Sequence, residues 1–200
     1  MNSIQIITRE SFLGIMWFIV WIALCRVFDF SLGFLLGVVL LLAWLWAFRN
    51  PERTPIDRGD DIVLAPIDGV ISNIEHRQDT ARISIKVSFF DVGLVRAPQE
   101  IETITLEKKF GLVAYFSPLQ KELNEVMRAD IVGKISCSIW LYPKVFKHTR
   151  FYAPIAYYLG ERIGFMKVGT LVLELPDSVE IRAHIGDKLK GGVNVLGYIK

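Results

Sequence analysis

The sequence predicts a mainly β protein, a barrel-sandwich-hybrid-like domain preceded by an N-terminal transmembrane helical hairpin. Three observations carry this expectation. The 200 residues are 52% hydrophobic, and the excess is concentrated between Phe12 and Phe48, where Arg26 and Asp29 are the only formally charged residues. Beyond Ile62 the apolar residues come in short runs broken by Gly, Pro, Asp and Asn, the pattern of many short strands. Two tight turns stand near the ends of that region, Ala65 to Val70 and the glycine-rich His184 to Gly192, the latter read as a hairpin joining two strands.

Arg26 and Asp29 split the apolar stretch into a run of 14 residues, Phe12 to Cys25, and one of 19, Phe30 to Phe48. At about 1.5 Å rise per residue the second is long enough to cross a hydrocarbon layer of about 30 Å, and the first needs flanking residues to do so. A hairpin with Arg26 and Asp29 at its tip satisfies both. A cleaved leader fits less well, because Trp44 and Trp46 stand where a small-residue cleavage site belongs. Arg9 before the hairpin and Arg49 and Arg53 after it place both ends in the cytoplasm.

Pro51 and Pro55 punctuate a polar connection, so the expected organisation is a hairpin over 1–48, a linker over 49–61 and a β domain over 62–200. Within the domain, strands are expected at Ile62–Leu64, Gly69–Glu75 and Arg82–Phe89. In the third, Ile83, Ile85 and Val87 alternate with polar neighbours and point inward. Further strands are expected at Ile101–Leu106, Leu112–Phe116, Ile135–Leu141, Arg162–Met166, Leu171–Leu175 and Val179–Ala183. One helix is expected at Pro118–Asp130, with Leu119, Leu123, Val126 and Met127 on one stripe.

A net charge of +2 gives no footprint for nucleic acid, and Cys25 and Cys137, far apart and without CxxC spacing, indicate neither a disulfide framework nor a metal site. Lys144, Lys147, His148 and Arg150 form a local basic cluster, readable as a solvated loop or as a surface for anionic head groups. The turns at Ala65 to Val70 and His184 to Gly192 are of the kind seen in domains that carry biotinyl or lipoyl groups, but no modifiable lysine motif accompanies them.

The stretch that organises the domain is Gly160 to Pro176, with Gly160 and Gly164 read as a turn before a strand that begins at Gly169-Thr170. A hydroxyl beside an unhindered glycine carbonyl can attack it and turn the amide into an ester. Removal of the α proton then eliminates the ester, cutting the chain and leaving a keto acyl cap that acts as an electron sink. The same dipeptide also reads as a turn glycine followed by a β-branched strand residue.

Five motifs in order, FRNPER, APIDGVI, FFDVGLVRAP, GERIGFMKVGT and IGDKLKGG, resemble the short bacterial phosphatidylserine decarboxylase family over nearly the whole chain. The resemblance implies a proenzyme that cuts itself at a Gly-Ser bond, converts the serine to a pyruvoyl group, and makes phosphatidylethanolamine from phosphatidylserine at the bacterial inner membrane. It places the catalytic aspartate on Asp68 and the cleavage site on Gly169 and Thr170, and it leaves homo-oligomerisation open. The chain departs from the pattern at two chemical positions: the expected histidine is Gly93, and the expected serine is Thr170, whose cap would be a pyruvoyl-like 2-oxobutanoyl group. The family's basic segment is replaced between Cys137 and Ile155, and His148 and His184 are the remaining candidates for a base. These departures lead to three alternatives. The first is a degenerate member with impaired self-processing, the second a decarboxylase active after cleavage at Gly169-Thr170, and the third a non-catalytic envelope scaffold.

Overall fold

A computed structural model of the chain describes residues 7–57, 59, 61–111, 124–144, 149–152 and 155–200. The chain divides into two units, Met1–Glu52 and Arg53–Lys200.

In the first unit, a short 3-10 turn at Arg9–Ser11 leads into α1 (Phe12–Val27), which is followed by α2 (Ser31–Ala47). Predominantly apolar residues without proline carry both helices, with Arg26 in the last turn of α1, and the break falls at Asp29, whose φ of 50° is the left-handed conformation that Asp tolerates better than most residues. The helices pack on each other: Trp44 Nε1 donates to Ser11 O at 3.2 Å and Trp21 Nε1 to Gly33 O at 3.3 Å. A Cβ on Gly37 would lie 2.9 Å from the Ile22 and Trp21 side chains, so the small residue sets the closeness of this contact. Most of the remaining apolar surface points outward, including Trp17, Val27 and Leu32. Among the described residues one helix, Arg9–Val27 with its 19 residues, is long and apolar enough to cross a membrane; the second is shorter.

The second unit is built from β1 (Ile62–Leu64), β2 (Gly69–His76), β3 (Thr80–Val87), β4 (Leu94–Arg96), β5 (Ile101–Lys109), β6 (Val126–Gly133) and β7 (Ser136–Pro143), continuing with β8 (Arg150–Phe151), β9 (Arg162–Phe165), β10 (Gly169–Pro176), β11 (Val179–Ile181), β12 (Lys188–Leu189) and β13 (Val195–Ile199). Among the described residues these form an antiparallel sheet of order β12-β2-β3-β10-β7-β6-β5 and two three-stranded sheets, β1-β13-β11 and β4-β9-β8. One face of the large sheet is dry. Ile83 and Ile85 of β3, Leu171 and Leu173 of β10, Ile139 and Leu141 of β7 and Ala129 of β6 are fully enclosed, and the inward alternation expected for Ile83, Ile85 and Val87 is observed. The other face carries Lys86, Thr170, Tyr142, Arg82 and Glu174.

Several expectations need correction. The helix expected over Pro118–Asp130 is contradicted from Val126 onward, where β6 pairs with β5 on one side and β7 on the other. Met127, Ala129 and Ile131 are buried while Arg128 and Asp130 are not, so a period of two, imposed by the flanking strands, prevails over the helical stripe. Residues 118–123, and the strand expected at Leu112–Phe116, lie outside the described residues.

Gly164 is not a turn residue. It sits inside β9, where a Cβ would meet Arg150 O at 2.7 Å, whereas Gly160, with φ of 76°, does occupy a turn. The segment His184 to Gly192 is likewise not a single hairpin loop, since Lys188 and Leu189 form β12 and pair with Val70 and Gly69 of β2.

Candidate active site

The turn ending β2's approach, the loop after β3 and the start of β10 converge at one end of the large sheet. Lys86 of β3 pairs with Val70 of β2 on one side and Thr170 of β10 on the other, and Val87 pairs with Gly169. With strands about 4.8 Å apart, Val70 and Thr170 stand roughly 10 Å from each other across β3. Gly93, in the loop that follows β3, accepts a hydrogen bond from Met166 N at 2.8 Å, which draws it to the β9–β10 turn.

Asp68 lies just before β2 and is buried. Its two carboxylate oxygens are taken by a bidentate pair with the Arg53 guanidinium, with Nη2 to Oδ2 at 2.7 Å and Nη1 to Oδ1, and Oδ1 also accepts from Gly191 N at 2.8 Å. Arg53 Nη1 donates in addition to Gly191 O at 2.9 Å. The three segments carrying Arg53, Asp68 and Gly191 are thus tied by charge-assisted bonds with fixed fork geometry. None of these bonds reaches the β9–β10 turn.

Gly93 has no room for a side chain in this backbone. A Cβ there would lie 2.8 Å from Met166 O and 3.1 Å from Lys167 Cα, both main-chain atoms. Beside it, Lys167 is almost fully enclosed, its Nζ donating to Asp91 O at 2.7 Å and lying 5.5 Å from the centroid of the Phe89 ring. This lone cation in the apolar run of Gly164 to Gly169 is the sequence signal for a buried polar anchor.

Gly169 is also sterically required, since a Cβ would fall 2.2 Å from Tyr142 O, where β10 closes on β7. Thr170 is half-buried on the wet face, opposite Tyr142. It opens into a groove of about 480 Å³ whose lining includes Ser84, Tyr142, Lys144 and Val172. Burial raises the Tyr142 phenol above its ordinary range, an effect Arg82 offsets and Glu174 reinforces, so the hydroxyl stays a neutral donor at neutral pH. Among the described residues no histidine lines this groove. His148 lies outside the described residues, and His184 is an exposed turn residue whose backbone N–H donates to Asp187 Oδ2 at 2.8 Å. Of the basic cluster, Lys144 lines the groove, Arg150 stacks over Tyr152 at 5.6 Å, and Lys147 lies outside the described residues.

The model of the phosphatidylserine decarboxylase family matches residues 40–125, which include Asp68 and Gly93. The phosphatidylserine decarboxylase proenzyme of Streptomyces coelicolor is 30% identical over 171 residues, covering 78% of this chain and 73% of that protein. The chain belongs to the phosphatidylserine decarboxylase family. The proenzyme of Carboxydothermus hydrogenoformans aligns over the full length of both chains at 27% identity, and that of Geotalea uraniireducens at 29% over 84% of this chain and 91% of its own. No solved structure matches. Within the family frame, the sequence pointed to Asp68, Gly169 and Thr170, but not to Arg53, Gly191 or Tyr142, whose proximity is created by strand register and loop packing.

Proposed function

We propose that this chain is a membrane-anchored protein of phospholipid metabolism that keeps the family's phosphatidylserine-binding scaffold but is impaired in cutting itself at Gly169-Thr170. In this reading residues 1–48 form the anchoring hairpin, 49–61 the linker, and 62–200 a barrel-sandwich-hybrid-like domain on the cytoplasmic side of the inner membrane. One observation supports it: among the described residues no side chain offers a path for a proton from Thr170 to Asp68. A general base must stand within hydrogen-bond reach of the proton it takes. Asp68 is held by Arg53 and the Gly191 amide two strands away, and the position of the intervening base is a glycine packed against main chain. Loss of a positioned base costs about 100- to 10,000-fold in rate.

Intact-mass measurement of the purified protein tests this directly, with a single uncut polypeptide as the expected result. A fragment of residues 170–200 with a blocked N-terminus would overturn it. The double variant Gly93→His, Thr170→Ser is expected to remain uncut as well, because the imidazole has no space unless the β9–β10 turn moves.

A second reading, a decarboxylase active after cleavage, is favoured by the exposure of Thr170 to a groove with room for its extra methyl. The cap would then derive from Thr170 itself as a 2-oxobutanoyl group, which supplies the electron sink of pyruvoyl chemistry. Under that reading Thr170→Ala abolishes both the cut and any decarboxylation.

A further inference from the structure

We propose that the β unit makes a contact of its own with an anionic bilayer surface, through an aromatic turn at residues 88–91 and the lysines around it. This contact is separate from the apolar helices and from the groove at Thr170, and it rests on the membrane-anchor reading above.

The turn is firmly held for a surface loop. Asp91 N donates to Ser88 O at 3.2 Å and the Asp91 carboxylate accepts from Ser88 N at 2.8 Å, so main chain and side chain close it together. From inside, the enclosed Lys167 donates through Nζ to Asp91 O at 2.7 Å and lies 5.5 Å from the Phe89 ring centroid. Phe89 in turn meets Phe90 edge to face at 5.4 Å. These contacts fix a turn that presents Phe90, which is 63% exposed. A scattered exposed phenylalanine is ordinary. One held on a turn that is pinned from beneath by a buried ammonium is not, and its surroundings say what it faces.

Those surroundings are basic with apolar patches. Lys188, Val70 and Lys86 form one register row at the end of the large sheet from which the turn emerges. Lys190 follows β12 and Lys144 follows β7 at that same end. All four lysines and Val70 are exposed, and among the described residues no ion pair engages any of the four. Ile185, 61% exposed, rides on a turn bound to β2 by Gly186 N, which donates to Ile71 O at 2.8 Å. Asp91 and Asp187, each engaged by a main-chain N–H of its own turn, offset part of this charge, and Asp68 is neutralised by Arg53. At the other end of the same strands, roughly 20 Å away at about 3.3 Å per residue, stand Glu75, Asp79, Glu174 and Asp177. The arginines there are matched, Arg82 to Glu174 and Arg77 to Glu75. The sheet therefore has a cationic end and an acidic end, and the aromatic tip lies at the cationic one.

An aromatic tip amid ammonium groups suits the bilayer interface, where the ring enters the head-group layer and the lysines stay hydrated beside lipid phosphates. A net charge of +2 over the whole chain does not favour a nucleic acid. Tethering by the helices holds this face at high local concentration near the membrane, so a contact too weak to recruit a free domain is enough.

The test uses the full chain reconstituted into vesicles of phosphatidylcholine, alone or mixed with phosphatidylglycerol, with a nitroxide at Ser88→Cys. Ser88 is exposed and serves the turn through its main chain, while Cys25 and Cys137 are buried. Oxygen and a nickel chelate distinguish the three environments: lipid favours oxygen, water favours nickel, and a protein contact excludes both. In mixed vesicles the label is expected to favour oxygen, and in phosphatidylcholine alone to move towards water. Lys86→Gln and Lys188→Gln are each expected to lower the ratio of docked to undocked chain about fivefold, the effect of one lysine at an anionic surface. Phe90→Ser and added salt should release the turn, and a label at Ser136→Cys, at the acidic end, should stay in water throughout. A chain that floats with the vesicles while Ser88 remains in water overturns the inference and leaves the membrane anchor intact. A chain that does not float overturns the anchor as well. Exclusion of both reagents would show the face covered by protein, and an oxygen-favouring signal indifferent to phosphatidylglycerol and to the lysines would show no anionic recognition; either result overturns the inference.

Discussion

Asp68 is a buried carboxylate whose partners are fixed by the fold around it. A buried carboxylate requires compensation, and here the compensation is Arg53 with the Gly191 amide, which makes the group a latch between the start of the β unit and its last turn. Arg53→Met leaves the Asp68 charge enclosed and unpaired, and a loss of about 3–5 kcal/mol in urea unfolding is expected. Arg53→Met combined with Asp68→Leu should recover much of that loss, since an apolar pair removes the uncompensated charge. A catalytic aspartate with an open relay would not show this pattern of rescue. Gly93 makes the complementary point. Gly93→Ala is expected to destabilise by about 1–3 kcal/mol, because the new methyl meets the Met166 carbonyl, Lys167 Cα and the enclosed Phe165 ring. An unchanged unfolding midpoint would show that the β9–β10 turn yields easily, and would restore room for a histidine there.

Among the strands, β6 and β7 illustrate how neighbours decide conformation. Alternation buries Cys137, Ile139 and Leu141 on β7 against Met127, Ala129 and Ile131 on β6. Burial pushes the Cys137 thiol up to about 12, with the Gln99 amide at 3.7 Å only partly opposing the shift. The unfolded thiol ionises near its ordinary value of 9.0, so above that pH the unfolded chain has lost a proton that the folded chain still holds. Stability therefore falls as pH rises from about 9 towards 12, by on the order of 1.4 kcal/mol per pH unit from this group. Compared with Cys137→Val, which has nothing to ionise, the unmodified protein should lose urea resistance over that window. A parallel decline in the two would mean that the thiol is solvated. The native thiol is also expected to resist a disulfide reagent at pH 8 until the chain unfolds.

The proposed membrane topology rests on the two apolar helices and their arginine flanks. Reporter fusions at the N-terminus and at Gly59 are both expected to report the cytoplasm, with α1 and α2 each crossing the bilayer. Reporters on opposite sides would show that a single helix spans, as the greater length of Arg9–Val27 would allow. The helices' outward apolar surface suits the proposed membrane anchor.

The features determined by the sequence alone were local ones. The long apolar runs before Phe48 define helices by their length, and the alternation in Ile83, Ile85 and Val87 defines a half-buried strand without reference to its partners. The order of short motifs sufficed for the family, and it brought Asp68, Gly93, Gly169 and Thr170 into view by position. Tertiary structure decided what those positions can do. The pairing of Lys86 with both Val70 and Thr170 joins residues far apart in the chain. The Arg53–Asp68 latch spans a turn, and the strand β6 overrides a helical stripe because β5 and β7 supply backbone partners on both sides. Periodicity reports which face of an element is buried. Register and loop closure, which depend on contacts of long sequence separation, report which side chains meet, and the chemistry of the groove belongs to that second kind of information.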